Sequence, residues 1–186
     1  MLSSKMNTCC FTGHRPIKFH YGYDEEHPDC VRLKEVLTVE IEKMRKKGVT
    51  TFLSGMAMGV DIWCAEIILN LKQTYPNEEI HLIAVIPHEG QANRWSIEYR
   101  ERYFNILERA DETTTLQTQY TKGCMQARNH YMVNASDHII AVLNGESGGT
   151  KYTVDYAVEQ GLDTVVINPD TLKVDHTPPD VIDLFK

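Results

Sequence analysis

The sequence predicts an α/β fold, a Rossmann-like, doubly wound, mostly parallel sheet with helices on both faces. Three observations predict it. Short apolar, β-branched runs bounded by glycine or proline alternate with helix-period segments along the chain. Polar, glycine-rich turns fall where strands give way to helices, the place where such folds hold ligands. The 186 residues, 42% of them hydrophobic, suffice for one core and are few for two. A single domain over 1–186 is therefore expected, with 170–186 as a C-terminal extension.

The first strand is expected from Thr8 to Thr12, closed by the FTGHRP turn, where glycine allows a sharp bend and proline prevents the strand from continuing. Leu33, Val36, Leu37, Ile41 and Met44 then recur at helical spacing, with Gly48 as the stop. Thr51 to Ser54 reads as the second strand. Ile62, Ala65, Ile68 and Leu69 form the next helical stripe, which Pro76 ends. Ile80 to Ile86 is the third strand.

A helix from Trp95 to Ala110 follows, in which Glu98 and Arg102 can pair one turn apart and Ile97, Phe104 and Leu107 supply apolar contacts. The strand Thr113 to Leu116 is polar and threonine-rich, which places it near an edge. The series closes with a helix over Met125 to Asn134, a strand His138 to Leu143, a helix Thr153 to Gln160 before Gly161, and a strand Thr164 to Ile167. Only the tail after Pro169, with Asp175-His176-Thr177-Pro178-Pro179, has loop composition; it reads as an extension packed on the domain, or frayed.

Nineteen lysines and arginines face 26 aspartates and glutamates, a formal charge of -7. Such a chain repels nucleic acid and anionic membrane, so any bound anion must be captured by local geometry. The five cysteines form no CxxC, and Cys9, Cys10 and Cys64 lie inside apolar runs, as buried reduced thiols of a cytosolic protein do. No signal peptide or membrane-length apolar window is present in the sequence, and a cytoplasmic protein without a membrane partner is expected.

The conspicuous polar clusters converge on the carboxyl ends of the expected strands. Gly13, His14 and Arg15 follow the first, and an arginine there points to an anion; His14 reads as an acid or base or as a simple hydrogen-bonding group. After the second comes SGMAMGVD. Here Ser54 offers a hydroxyl, Gly55 and Gly59 flank Met56 and allow close backbone approach, and the next helix presents free N–H groups, an arrangement that suits phosphate. Asp61 is equally readable as a helix cap. The spacing is neither GxGxxG nor a Walker A motif.

Pro87-His88-Glu89-Gly90-Gln91 follows the third strand, and Trp95 just beyond it reads as a ligand cover or as core. After the fifth, SGGTKYT opens a helix with Gly148, Gly149 and Thr150, and two such turns favour a ligand with more than one anionic group. Arg128, beside Asn129, needs a phosphate or a carboxylate partner, for which Glu66 is the structural alternative. No metal-ligand spacing, nucleophile elbow or catalytic carboxylate pair stands out, so no metal site is expected and binding is better supported than catalysis.

Taken together, FTGHRP, SGMAMGVDIWCAE, IPHEGQANRW, RYFNIL, KGCMQARNHYMVNASDHIIAV and GGTKYTVDYA resemble the SLOG superfamily, and within it the YpsA-like bacterial and phage proteins. The similarity runs from Cys9 to Pro169. It implies a Rossmann-like domain that binds a nucleotide or nucleotide-derived ligand, ADP-ribose- or NAD-like, as a sensor or regulatory module. It places Gly13, Arg15, Ser54 to Asp61, Arg128 and Gly148 to Thr150 around that ligand.

The LOG branch of the superfamily carries PGGxGTxxE and cleaves nucleotide N-glycosidic bonds. This chain has Thr153 where that glutamate stands, with Glu66 or Asp155 as substitutes, so a nucleotide N-glycosidase is the alternative. The DNA-processing protein A branch, which binds single-stranded DNA, ranks third because this chain is acidic and has no basic stripe. A bound nucleotide is the cofactor-like group the resemblance implies. A homodimer through exposed apolar helix faces and a protein partner remain open.

Overall fold

The computed structural model describes residues 7–177. In chain order these form β1 (Thr8–Gly13), a short 3-10 turn (Pro16–Lys18), α1 (Pro28–Lys46), β2 (Thr51–Ser54), α2 (Val60–Thr74), β3 (His81–Ile86) and α3 (Ile97–Arg109). There follow β4 (Glu112–Thr115), α4 (Cys124–Asn134), β5 (His138–Val142), α5 (Gly149–Glu159), β6 (Asp163–Ile167) and β7 (Val174–Thr177). They build one seven-stranded sheet in the order β4-β3-β2-β1-β5-β6-β7. Six strands are parallel and β7 alone runs antiparallel, against β6. This is the expected α/β doubly wound fold.

Strand periodicity sorts the core into two layers. Cys9, Phe11, Phe52, Leu82 and Ala84 point to the face covered by α1, α2 and α3, where Leu37, Ile41, Ile62, Trp63, Ile68 and Tyr103 complete the cluster. Their neighbours Cys10, Leu53 and Val85 point to the opposite face, against Met132 and Val133 of α4 and Ala157 of α5. Helix coverage therefore changes sides between β1 and β5, which are direct neighbours paired from Cys9↔His138 to Gly13↔Val142. Two adjacent strands whose connections leave in opposite directions open a crevice at their carboxyl ends.

The threonine-rich β4 is at the sheet's edge, with three of its four residues exposed. Three local expectations are corrected. Arg102 does not pair with Glu98; it reaches off its helix to Glu25 at 2.6 Å and to Glu66 of α2. These acids lie beside the half-buried guanidinium, whereas a pair along α3 would stay in water. Next, α5 begins at Gly149, four residues before Thr153, because Gly148 turns the chain at φ 149°. Finally, the tail is not all loop: β7 takes the open edge of β6, pairing Val174 with Ile167 and His176 with Val165. Pro178 and Pro179 lie outside the described residues.

Candidate functional site

A cavity of about 520 Å³ occupies the crevice at the β1/β5 switch. Four segments wall it: Thr12–Lys18 after β1, Ala57 and Asp61 at the head of α2, Tyr120–Asn129 leading into α4, and Glu146–Tyr152 leading into α5. Thus the N-termini of α2, α4 and α5 meet in one space. None of the three has a side-chain cap. Their caps are Gly59, Gly123 and Gly148, at φ 92°, 86° and 149°. By contrast α1 is capped by His27, whose ring accepts from the Asp29 amide, and α3 by Ser96, which accepts from the Tyr99 amide. The Ile62 amide reaches the Ala57 carbonyl and the Cys124 amide the Thr121 carbonyl, but no side chain caps these turns, and the positive ends of three helix dipoles meet at the cavity, a setting that favours an anion.

The SGMAMGVD turn is held from behind. Ser54 is fully buried; its hydroxyl donates to the Asp61 carbonyl at 2.8 Å and accepts from the Met56 amide at 3.2 Å. The Gly55 carbonyl accepts from Gln91 Nε2 at 3.1 Å and from Arg128 Nη1. That clamp leaves no room for a side chain at Gly55, whose Cβ would fall 2.5 Å from Arg128 Nη1 and 2.8 Å from Asp61 Oδ2. Pinned this way, the backbone carries Met56 at φ 56°, an unusual state for a non-glycine residue. Asp61 Oδ2 in turn accepts from the Ala57 amide at 3.3 Å.

Charge in the cavity is arranged against the protein's overall sign. Arg128 is 3% exposed and lines the wall, with Nε donating to Asn129 Oδ1 at 2.8 Å and Nη1 to Gly55. No ion pair joins it to a carboxylate among the described residues, and its hydrogen bonds go to Asn129 and Gly55. Burial pulls its guanidinium below its ordinary range, and the nearby Asp61 opposes that. Burial pushes the Asp61 carboxyl up, with Arg128 and Arg15 pulling the other way. Arg15 is exposed at the mouth and makes no ion pair among the described residues. Lys18 reaches across the mouth to Glu146 at 3.5 Å.

The expected residues divide into those that face the cavity and those that shape it. Gly13, His14, Arg15, Asp61, Arg128, Asn129, Gly148, Gly149 and Thr150 line it. Ser54, Gly55, Met56 and Gly59 sit behind the wall; a Cβ on Gly59 would lie 2.9 Å from the His14 carbonyl oxygen. His14 is buried and bonded through Nε2 to Asn144 Oδ1 at 3.1 Å. Arg128 does not pair with Glu66, which is engaged by Arg102 instead.

Neither Glu66 nor Asp155 lines the cavity: Asp155 pairs with Lys151 one turn away on α5. Thr153, at the position of the LOG glutamate, is buried and accepts from Asn129 Nδ2 at 2.9 Å. Trp95 packs edge-on against Tyr103, 5.2 Å between ring centres, and leaves the cavity uncovered. Sequence reasoning misses Lys18, Tyr120 and Tyr152. The exposed rings of Tyr120 and Tyr152 give the cavity aromatic surface, and only the glycine ahead of the α4 pattern, Gly123, hinted at that wall.

A family model described as the YspA SLOG family matches residues 9–172. The chain is similar to a UPF0398 protein of Halalkalibacterium halodurans, 29% identical over 130 residues, 69% of this chain and 68% of that one. It is also similar to an uncharacterized SPbeta prophage-derived protein of Bacillus subtilis, 30% identical over 148 residues, 71% of this chain and 84% of the relative. Among solved structures, DNA processing protein A of Helicobacter pylori, described for its single-stranded DNA binding mode, superposes with TM-score 0.59. That match is 16% identical and covers 94% of this chain and 69% of that one. The Streptococcus pneumoniae protein of the same name superposes with TM-score 0.57 at 17% identity over 88% of this chain. The chain spans half the length of that pneumococcal structure.

Proposed function

This chain belongs to the YspA SLOG family, and we propose that it binds a nucleotide or nucleotide-derived ligand of the ADP-ribose or NAD kind at the β1/β5 cavity, as a sensor or regulatory module. The observation that carries this reading is the meeting of three helix N-termini without side-chain caps in one cavity that also holds a buried arginine with no carboxylate ion pair among the described residues. Phosphate oxygens would accept from amides of those first turns and from Arg128 and Arg15. Tyr120 and Tyr152 offer rings for a base to stack on, and about 520 Å³ suits a nucleotide. Neither Glu66 nor Asp155, the expected substitutes for the LOG glutamate, lines the cavity. Among the described residues the acids lining the cavity are Asp61, whose Oδ2 accepts from the Ala57 amide at 3.3 Å, and Glu146 at the mouth, which pairs with Lys18.

The test is thermal stabilisation of the purified protein by AMP, ADP-ribose, NAD and cyclic dinucleotides, with the same mixtures analysed for released base. A ligand at about a hundred times its dissociation constant adds roughly 2.7 kcal/mol, or about 5–11 °C for a chain of this size. The shift should disappear in Arg15→Ala and Gly149→Val, with no base released. Base release would move the assignment to an N-glycosidase. Binding of single-stranded DNA with steep salt dependence, and no response to nucleotides, would overturn it.

A further inference from the structure

On the far side of the loop that leaves the cavity, His20, His27 and Asp29 bring their side chains together, with one ligand atom from each lying within 4.8 Å of the others. We propose that these three residues form a binding site for a zinc-like divalent transition metal. Asp29 Oδ2 is the shared corner, 2.9 Å from His20 Nε2 and 3.7 Å from His27 Nδ1. Ligands of a tetrahedral zinc ion stand about 3.4 Å apart, so the two spacings bracket what an ion would require. Two imidazoles, one carboxylate and an open fourth position make a donor set that suits zinc-like ions and not magnesium or calcium.

The surroundings hold this arrangement in place. Asp29 divides its oxygens: Oδ1 takes a bond from Arg32 Nη2, which leaves Oδ2 turned to the two rings. A donor on the second oxygen is how ligating carboxylates are commonly oriented. The His27 ring stacks on Tyr21 at 5.4 Å, Tyr21 on Phe19 at 5.1 Å, and Phe19 on Trp63 at 5.5 Å. This column of rings ties the imidazole to the buried core. His20 meets His27 edge to face at 5.1 Å. An ion at His27 Nδ1 would take the lone pair that now accepts the Asp29 amide, so binding trades against the first turn of α1. The spacing, two histidines seven apart with an aspartate two further on, matches no common metal motif, which is why sequence alone predicts no metal.

The experiment is a calorimetric titration of the full chain, free of any affinity tag, with Zn²⁺. One ion per chain is expected, with Mg²⁺ in excess failing to displace it. His20→Gln should weaken binding by more than the roughly 10- to 100-fold that loss of an outer partner costs. His27→Asn should do the same while keeping a good helix cap, so circular dichroism should report an unchanged fold. His81→Gln, at a half-buried histidine elsewhere, should leave the isotherm unaltered. Absence of zinc binding, or binding indifferent to both His20→Gln and His27→Asn, would overturn the assignment.

Discussion

Two glycines of the site should respond to alanine in opposite ways. Gly59 holds φ 92° and ψ -129°, a region closed to side-chain-bearing residues, and forcing one there costs about 1–3 kcal/mol. Its new Cβ would also lie 2.9 Å from the His14 carbonyl oxygen and 3.0 Å from Pro16 Cδ, backbone and ring atoms that cannot rotate away. Crowding of that kind adds roughly 1–3 kcal/mol. Gly59→Ala should therefore lose about 2–6 kcal/mol and melt about 4–24 °C lower.

Gly149 sits in the first turn of α5 with nothing within 4 Å of the added Cβ. Gly149→Ala should gain about 0.4–1 kcal/mol by restricting the unfolded chain, and melt about 1–4 °C higher. Its methyl group nevertheless enters the space assigned to phosphate, so nucleotide affinity should fall. Differential scanning fluorimetry with and without the best nucleotide measures both quantities. The reasoning is refuted if Gly59→Ala melts with the wild type, or if Gly149→Ala destabilises the free protein.

Two further outcomes follow from charged contacts. Burial favours the neutral form of Glu25, yet hydrogen bonds from Arg102 and Lys34 bring it down to about 2. A group depressed on folding contributes stability above its unfolded value near 4.5 and loses it as pH falls toward 2, so acid melts should show a drop in that window. The drop should be shallower in Arg102→Met, in which Lys34 and the Tyr99 hydroxyl still hold Glu25. At the mouth, the Lys18–Glu146 pair is exposed on both sides and adds little to stability. Glu146→Gln should leave the melting temperature unchanged while tightening nucleotide binding roughly 2- to 5-fold at low salt, through about 0.5–1 kcal/mol of relieved repulsion. Titrations at low and high ionic strength separate that gain from any change in packing.

The parallel core was legible in the sequence because its strands are short apolar runs closed by glycine or polar turns; Thr51–Ser54 is placed to the residue, and the polar composition of β4 betrayed its edge position. What escaped was set by tertiary contact. Val174–Thr177 is too short and polar to announce a strand, and forms one because β6 offers an unpaired edge. Arg102 chose Glu25, 77 residues away, over an acid on its own helix. In the site, the phosphate-like turns stood out through their glycines, whereas Tyr120 and Tyr152 looked like any surface tyrosine. Nor could spacing separate Ser54 and Met56, which support the wall from behind, from Ala57 and Asp61, which face the cavity.

The distribution of helix caps argues that the cavity was shaped for something other than stability. A serine or aspartate at a cap position is as good as or better than glycine for the helix itself, by a few tenths of a kcal/mol. The chain uses side-chain caps at α1 and α3, whose first turns lie off the cavity, and forgoes them at α2, α4 and α5, whose first turns line it. At the three glycines the backbone takes a positive φ that an ordinary capping residue, extended at that position, would not adopt. A capping oxygen there would satisfy the very N–H groups that an incoming phosphate needs. Three glycine-headed helices whose first turns meet in one space form the arrangement that the proposed anion site would use.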